Sequence, residues 1–276
     1  MSFYQINDTR LTQKGSFFMK KKLVLLSDCT DVAVNEIRMS IYEGLKEDIQ
    51  IEPAINIIPF SLINCSFLLR LVSEIAEPNT IFYIVVNPIK GQPPRIIGKT
   101  IEKGFVFVGR DSGVFGWLVE RYGCAELYHI NNNKFVPFGG KKIYPNVISQ
   151  YINGIPIKDL GTLVDSNTLN KLEINEGTVL HIDNFGLVKI MYDEGVLKAL
   201  DIKNGDFVNV SVNGNFAIKA LYSERMMSEN DGVFTVCVGS SLNGLLELGC
   251  VRGNICHKIN VKVGDHIGLE KYVNVC

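Results

Sequence analysis

The chain has 276 residues, 46% of them hydrophobic and 21% charged, which is enough for two modest hydrophobic cores. Lysine and arginine (28) nearly balance aspartate and glutamate (29), so the formal net charge is −1. Nucleic acid is not an expected partner because there is no basic excess to neutralise its phosphates. A membrane is not expected either, since no apolar run approaches the about 20 residues that span a bilayer.

Strand-like apolar runs alternate with helix-like segments in the first half of the chain. Residues 1–18 are polar and are predicted to be a loosely ordered extension, and the apolar run 23–26 is predicted to be a buried first strand. Further strands are predicted at 81–86 and 105–108, and helices at 35–45, 67–75, 114–122 and 144–151. This alternation predicts a mainly parallel α/β sandwich domain over residues 19–157.

The second half of the chain has short β-type runs separated by turn sequences. Asn-Gly, Asp-Gly and related turns, which tolerate the positive φ angles of tight hairpins, recur at 175–177, 204–206, 213–215, 230–232 and 263–265. Helical periodicity is nearly absent. Residues 158–276 are therefore predicted to form a smaller, all-β, barrel-like domain.

The cysteines indicate a reducing compartment. There are seven, an odd number, and no two are spaced as Cys-x-x-Cys. Free thiols explain this pattern better than disulfides or a zinc site, so a cytoplasmic location is predicted. No metal site and no cofactor are predicted.

Polar residues follow several of the predicted strands. Asp28 follows the first strand, the sequence Asn-Pro-Ile-Lys-Gly at 87–91 follows the strand 81–86, and Gly-Arg-Asp-Ser-Gly at 109–113 follows the strand 105–108. The carboxyl ends of parallel strands are where open α/β sheets bind ligands. A fourth segment, Ile-Asp-Asn-Phe-Gly at 182–186, lies in the β domain.

These segments, in this order, resemble the S-adenosylmethionine hydroxide adenosyltransferases, a family related to the bacterial fluorinase and chlorinase. In that family a Thr/Ser-Asp ends the first strand, Val-Val-Asp-Pro-Gly-Val-Gly ends the long strand, and Ala-Pro-Asp-Asn-Gly follows a later strand. Its β domain carries Ile-Asp-x-Phe-Gly-Asn. Residues 244–248 resemble the last strands of the family, and the resemblance covers roughly residues 22–270.

The resemblance implies a ligand site, a reaction and an assembly. S-adenosylmethionine is expected between the α/β domain of one subunit and the β domain of its neighbour, in a homotrimer. Water or hydroxide attacks the ribose 5′ carbon and expels methionine, and no cofactor takes part. The hydroxide-transferring members rely on an Asp in the Asp-Pro-Gly motif, an Arg further along, and a His in a Phe-His-Gly-Arg-Asp segment.

This chain departs from the family at those reacting positions. They are occupied by Asn87, Pro94 and Gly139, none of which supplies the family's side chain. Arg95, one residue beyond Pro94, is a candidate substitute. His129 is the histidine nearest in sequence to the segment that lacks the family's His.

The residues that the resemblance assigns to ligand binding are better retained. Asp28 matches the residue expected to accept hydrogen bonds from the ribose hydroxyls, Asp183 the one that faces the methionine ammonium, and Phe185 an aromatic near the adenine. Asp111 keeps the frame of the Asp-Asn-Gly turn, whereas Leu187 replaces the Asn that follows Gly in the family. Structural roles are the alternatives: Asp28 as a cap, Asp183 in an Asx-type turn and Asp111 in a turn.

Three hypotheses follow from the sequence. The leading one is a protein that binds S-adenosylmethionine, adenosine or a similar molecule with little or no catalysis. The second is an active S-adenosylmethionine hydrolase with a rearranged site that uses Arg95. The third is a scaffold whose domain interface binds other proteins.

Overall fold

The computed structural model describes residues 21–86, 91, 93–131 and 136–273. In chain order the strands are β1 (Lys21–Ser27), β2 (Ile49–Ile51), β3 (Ile55–Asn56), β4 (Ile81–Val85), β5 (Arg95–Lys99), β6 (Val106–Arg110), β7 (Glu126–Ile130), β8 (Gly161–Val164), β9 (Val179–Ile182), β10 (Val188–Ile190), β11 (Phe207–Val212), β12 (Asn215–Tyr222), β13 (Phe234–Val238), β14 (Leu246–Cys250) and β15 (Ile267–Lys271). The helices are α1 (Val32–Glu43), α2 (Leu62–Ile75), α3 (Gly116–Tyr122), α4 (Gly139–Lys142), α5 (Tyr144–Ile152) and α6 (Gly195–Ala199).

The first sheet has the strand order β2-β1-β4-β6-β5-β7-β8, and β3 also pairs with β1. β1 is parallel to β2, β3 and β4, and β4 is parallel to β6. From β6 outward the pairs are antiparallel, because β5 returns directly into β6 through a turn in which Thr100 N donates to Phe105 O at 2.9 Å. The predicted mainly parallel α/β fold is therefore confirmed, with an antiparallel edge that the sequence did not predict.

Helices cover both faces of the first sheet. Leu23 and Leu25 of β1 pack in one buried cluster with α1 and α5, whereas Val24 and Leu26 pack in another with α2 and α3. This alternation is the period of two expected of a strand buried on both faces. It explains why the short apolar run at the start of the chain reads as a central strand.

Two helices begin earlier than their apolar spacing predicts, because side-chain caps set their first residues. Asp31 Oδ1 accepts from Ala33 N (2.9 Å) at the start of α1, and Ser61 Oγ accepts from Asn64 N (3.2 Å) at the start of α2. Each cap satisfies a backbone N–H that the helix itself leaves unpaired.

The second sheet has the order β15-β11-β12-β13-β14-β10-β9 and is antiparallel except between β12 and β13. It encloses its own apolar core, which includes Val188, Val208 and Leu248. The second part of the chain is therefore a β domain, as predicted. Its boundary at residue 158 stays a prediction: β8 pairs with β7 in the first sheet, and the second sheet begins at β9.

No helix in the described part of the chain is long and apolar enough to cross a membrane.

Candidate functional site

A cavity of about 350 Å³ opens at one end of the strands of the first sheet. The parallel strands β1, β4 and β6 have their carboxyl ends here, and the antiparallel strand β5 has its amino end here. The described residues that line the cavity are Asp28, Cys29, Ile84, Val85, Val86, Arg95, Arg110, Ser112, Val136, Phe138, Gly139, Gly140 and Tyr144. The strand topology thus gathers Asp28, Arg95 and part of the segment 109–113, all of which the sequence singled out.

Asp28 lies at the cavity, where the sequence predicted it. Its backbone N–H donates to Val85 O (3.2 Å), which fixes it beside the end of β4. Its Oδ2 accepts from Phe60 N at 3.1 Å, in the loop before α2. Asp28 does not cap α1, whose N-cap is Asp31, but its carboxylate satisfies a backbone N–H, which agrees with the structural alternative. The Asp28 backbone is therefore held by the end of β4, and its carboxylate by the loop before α2.

Two arginines project from adjacent strands into the same cavity. Arg95 opens β5 and Arg110 ends β6, and their Cα atoms are register partners in the antiparallel ladder. Arg110 Nη1 donates to Pro93 O at 2.6 Å, and Asp111 N donates to Pro94 O at 2.9 Å. These bonds fix the exposed Pro94 as part of the turn that leads into β5, outside the cavity lining.

Gly139 lies beside Arg95. A Cβ atom at position 139 would be 3.8 Å from Arg95 Nε and 3.9 Å from Arg95 Nη2. The next residue, Gly140, is packed more closely: a Cβ there would approach Val85 Cγ1 to 2.9 Å, and the Tyr83 hydroxyl donates to Gly140 O. The guanidinium group of Arg95 therefore lies next to position 139, where the resemblance places the histidine of the family.

Tyr144, at the start of α5, was not singled out by the sequence. Its side chain is buried, and its hydroxyl has no hydrogen-bond partner among the described residues. Burial raises the pKa of Tyr144 to about 12, and the positive charges of Arg110 and Arg95 oppose that rise. The hydroxyl therefore lies within electrostatic range of both guanidinium groups.

Asp111 serves the turn after β6 and does not line the cavity. Its Oδ1 accepts from Asn170 N at 3.0 Å and its Oδ2 from Asn170 Nδ2 at 2.9 Å. Burial raises the pKa of Asp111, and the hydrogen bonds from Asn170 oppose the rise. Asp111 thus ties the cavity wall, through the neighbouring Ser112, to the segment that connects the two sheets.

Asp183 and Phe185 lie in the loop between β9 and β10 and do not line this cavity. Asp183 Oδ1 accepts from Phe185 N and from Leu187 N, both at 2.9 Å, as in an Asx-type turn. The Phe185 side chain is 74% exposed. Within one chain these residues and Asp28 therefore do not line a common cavity.

Two further sequence candidates lie elsewhere. His129 lies within β7, opposite Ile96 of β5, and does not line the cavity. Asn87 lies outside the described residues. Among the residues that the structure describes, no group of three or more His, Cys, Asp and Glu side chains is arranged to hold a metal ion.

Comparison with known proteins identifies relatives over most of the chain. The family model of the S-adenosylmethionine hydroxide adenosyltransferase N-terminal domain matches residues 23–161. A (R)-S-adenosyl-L-methionine hydrolase from Methanocaldococcus jannaschii is 24% identical over 221 residues, covering 76% of this chain and 78% of that protein.

Two solved structures share the fold. An uncharacterized conserved protein from Thermotoga maritima superposes with a TM-score of 0.76 at 25% identity, covering 90% of this chain and 99% of that one. A conserved hypothetical protein from Thermus thermophilus gives a TM-score of 0.70 at 21% identity, with the same coverage.

Proposed function

Because the chain belongs to the S-adenosylmethionine hydroxide adenosyltransferase family, we propose that its cavity binds S-adenosylmethionine or a related adenosyl compound and hydrolyses it poorly or not at all. The observation that carries the binding proposal is Asp28, held at the mouth of the cavity between the ends of β1 and β4. A carboxylate there is suited to accept hydrogen bonds from two ribose hydroxyls. A volume of about 350 Å³ suits a small molecule.

The proposal of weak hydrolysis rests on the groups around the cavity. Water becomes an effective nucleophile when side chains orient it and remove its proton. The described lining contains no histidine, and its carboxylate, Asp28, already accepts a backbone hydrogen bond. Gly139 has no side chain at the family's His position, and Asn87 cannot carry the charge of the family's Asp.

A second candidate is a working S-adenosylmethionine hydrolase with a rearranged site. The observation that favours it is the contact between Arg95 and the position of Gly139, where the family's imidazole would lie. A guanidinium group there can orient water and stabilise negative charge as it develops. The hydrolase from Methanocaldococcus jannaschii makes this the natural alternative.

We propose further that the ligand site is completed in a homotrimer. Asp183 and Phe185 do not reach the cavity of their own chain, and the exposed Phe185 ring is available to a neighbour. Phe60, whose N–H holds Asp28, is also 68% exposed. Phe185 of one subunit would then cover the adenine bound beside Asp28 of the next.

The test is a calorimetric titration with S-adenosylmethionine, followed by assay of the mixture for adenosine and methionine. Binding without product supports the proposal, and Asp28→Asn is expected to weaken binding about tenfold because it removes a charged acceptor. Asp231→Asn, on an exposed loop, is the matched control. Rapid product release that Arg95→Ala abolishes would favour the hydrolase, whereas neither heat nor product would leave only the scaffold hypothesis.

A further inference from the structure

The wall of the cavity contains a buried hydroxyl for which the described residues supply no hydrogen-bond partner. Tyr144 is 4% exposed, lines the cavity and has no hydrogen-bond partner among the described residues. Buried polar groups in folded proteins nearly always have a partner. The missing partner of Tyr144 therefore points to an atom of a bound ligand.

The charge around this hydroxyl is positive. Arg95 and Arg110 line the same cavity from paired positions on β5 and β6. Arg110 directs one N–H to Pro93 O, and in the described part of the chain no carboxylate forms an ion pair with its guanidinium. Since Asp28 is the only acidic side chain in the described lining, the two arginines exceed it by one positive charge.

Arg110 departs from the family motif that its segment resembles. The motif Ala-Pro-Asp-Asn-Gly has proline where Gly-Arg-Asp-Ser-Gly at 109–113 has Arg110. A proline contributes neither charge nor an N–H donor at that place. The substitution therefore adds a cation and several donors to the wall of the cavity.

We propose that Arg110, Tyr144 and Arg95 form an oxyanion subsite that receives a carboxylate or phosphate group of the ligand. Guanidinium and hydroxyl donors together recognise such oxygens, and a cationic group placed there would be repelled. The proposal rests on the proposed function only in assuming that the ligand's other end is an adenosyl group. The subsite makes an adenosyl compound that carries a carboxylate or phosphate group a better ligand than one that lacks it.

Calorimetric titration with two matched pairs of probes tests the subsite and separates the sources of the anion. Adenosine 5′-monophosphate against adenosine reports on a phosphate, and S-adenosylhomocysteine against its methyl ester, which keeps the ammonium group, reports on a carboxylate. In at least one pair the member that carries the phosphate or the carboxylate is expected to bind about tenfold or more tightly. Arg110→Met is expected to remove most of that preference, Tyr144→Phe part of it, and Arg110→Lys to retain more of it than Met.

Arg252→Met, on an exposed arginine outside the cavity, is the control and is expected to leave the preference unchanged. If Arg110→Met does not fold, Tyr144→Phe and Arg110→Lys carry the test. Equal binding within both pairs, or a preference that survives in Arg110→Met and Tyr144→Phe, would overturn the proposal.

Inorganic phosphate separates failure of the subsite from failure of the proposed function. S-adenosylmethionine binding together with no anion preference leaves the proposed function and removes the subsite. Phosphate binding that depends on Arg110, with no binding of any adenosyl compound, leaves the subsite and removes the proposed function. If neither phosphate nor an adenosyl compound binds, both are wrong.

Discussion

Asn64 of α2 donates through Nδ2 to Nδ1 of His181 in β9, at 2.9 Å, and so joins the two domains. The same amide nitrogen donates to Leu180 O (3.2 Å), while Asn64 Oδ1 accepts from Ile58 N (3.1 Å). Because the backbone N–H of Ile58 can only donate, the amide orientation is fixed and His181 Nδ1 must accept. The neutral imidazole therefore carries its proton on Nε2.

Protonation of His181 would put a proton on Nδ1, so that two donors, His181 Nδ1 and Asn64 Nδ2, would face each other. The free energy of unfolding should therefore depend on pH. Burial lowers the pKa of His181 from its ordinary value of 6.5, and the charge of Asp183 opposes that shift. Below pH 6.5 the unfolded chain gains a proton that the folded chain resists, so the free energy of unfolding should fall as the pH decreases. Above pH 6.5 both forms are neutral and this contribution is flat.

Urea denaturation between pH 5 and pH 8 measures this slope. The variant His181→Gln should lose the part of the slope that begins near pH 6.5, whereas His257→Gln, at an exposed position, should keep it. An unchanged slope in His181→Gln would show that another group is responsible.

A second prediction concerns the buried ion pair between Lys189 of β10 and Glu247 of β14. The two residues are directly opposite in the antiparallel ladder, Nζ contacts Oε1, and their side chains are only 13% and 8% exposed. Lys189→Met leaves the carboxylate buried without its cation and should cost about 3–5 kcal/mol. Removing both charges, in Lys189→Met with Glu247→Leu, should recover most of that loss.

The matched control is Lys198→Met, which breaks an exposed pair with Glu194. Such surface pairs contribute at most about 1 kcal/mol. If Lys189→Met costs no more than Lys198→Met in urea denaturation at pH 7, the buried pair is not the determinant of stability in this sheet.

A third prediction addresses the replaced reacting positions. Combining Asn87→Asp with Gly139→His should produce slow release of adenosine from S-adenosylmethionine, measured by chromatography of the reaction mixture. A Cβ at position 139 fits at ordinary van der Waals distance from Ile143 Cδ1 (3.5 Å) and beside Arg95.

Gly140→His is the structural control for that double variant. Its Cβ would approach Val85 Cγ1 to 2.9 Å, so it should destabilise the fold without adding activity. A double variant that binds S-adenosylmethionine but releases no adenosine would contradict the idea that the lost side chains alone explain weak turnover.

A fourth prediction concerns the hydrogen bonds between Asp111 and Asn170. Asn170→Ala removes the Nδ2 donor to the Asp111 carboxylate and to Asp111 O, and an unsatisfied buried acceptor costs about 1–3 kcal/mol. The melting temperature should fall accordingly, while Asn167→Ala, whose N–H rather than side chain bonds to Asp165, should change it less. Equal decreases of the melting temperature in both variants would show that the hydrogen bonds between Asp111 and Asn170 do not stabilise the fold.

Much of the fold was predictable because apolar spacing reports local structure directly. The central strands and the main helices follow from it, and the helix starts that it missed are set by the single caps Asp31 and Ser61. The antiparallel edge was not predicted, since β5 and β7 are short and the direction of a strand depends on its turn. The segment containing β8 lies beyond the predicted domain boundary and still pairs with the first sheet.

The candidate site was predictable only in part. Asp28 was found because it follows a central strand, and Arg95 was found as a candidate substitute through the resemblance. Arg110 was read as part of a turn, and Tyr144 as the first apolar residue of a helix. Their convergence with Arg95 depends on the pairing of β5 with β6 and on the packing of α5, which periodicity does not reveal.

The paired positions of Arg95 and Arg110 also have an evolutionary meaning. Both lie on strands whose backbones are fixed by the ladder, so their side chains can be exchanged while the sheet stays in place. Point substitutions at these two positions therefore change the charge of the cavity wall without insertions into either strand.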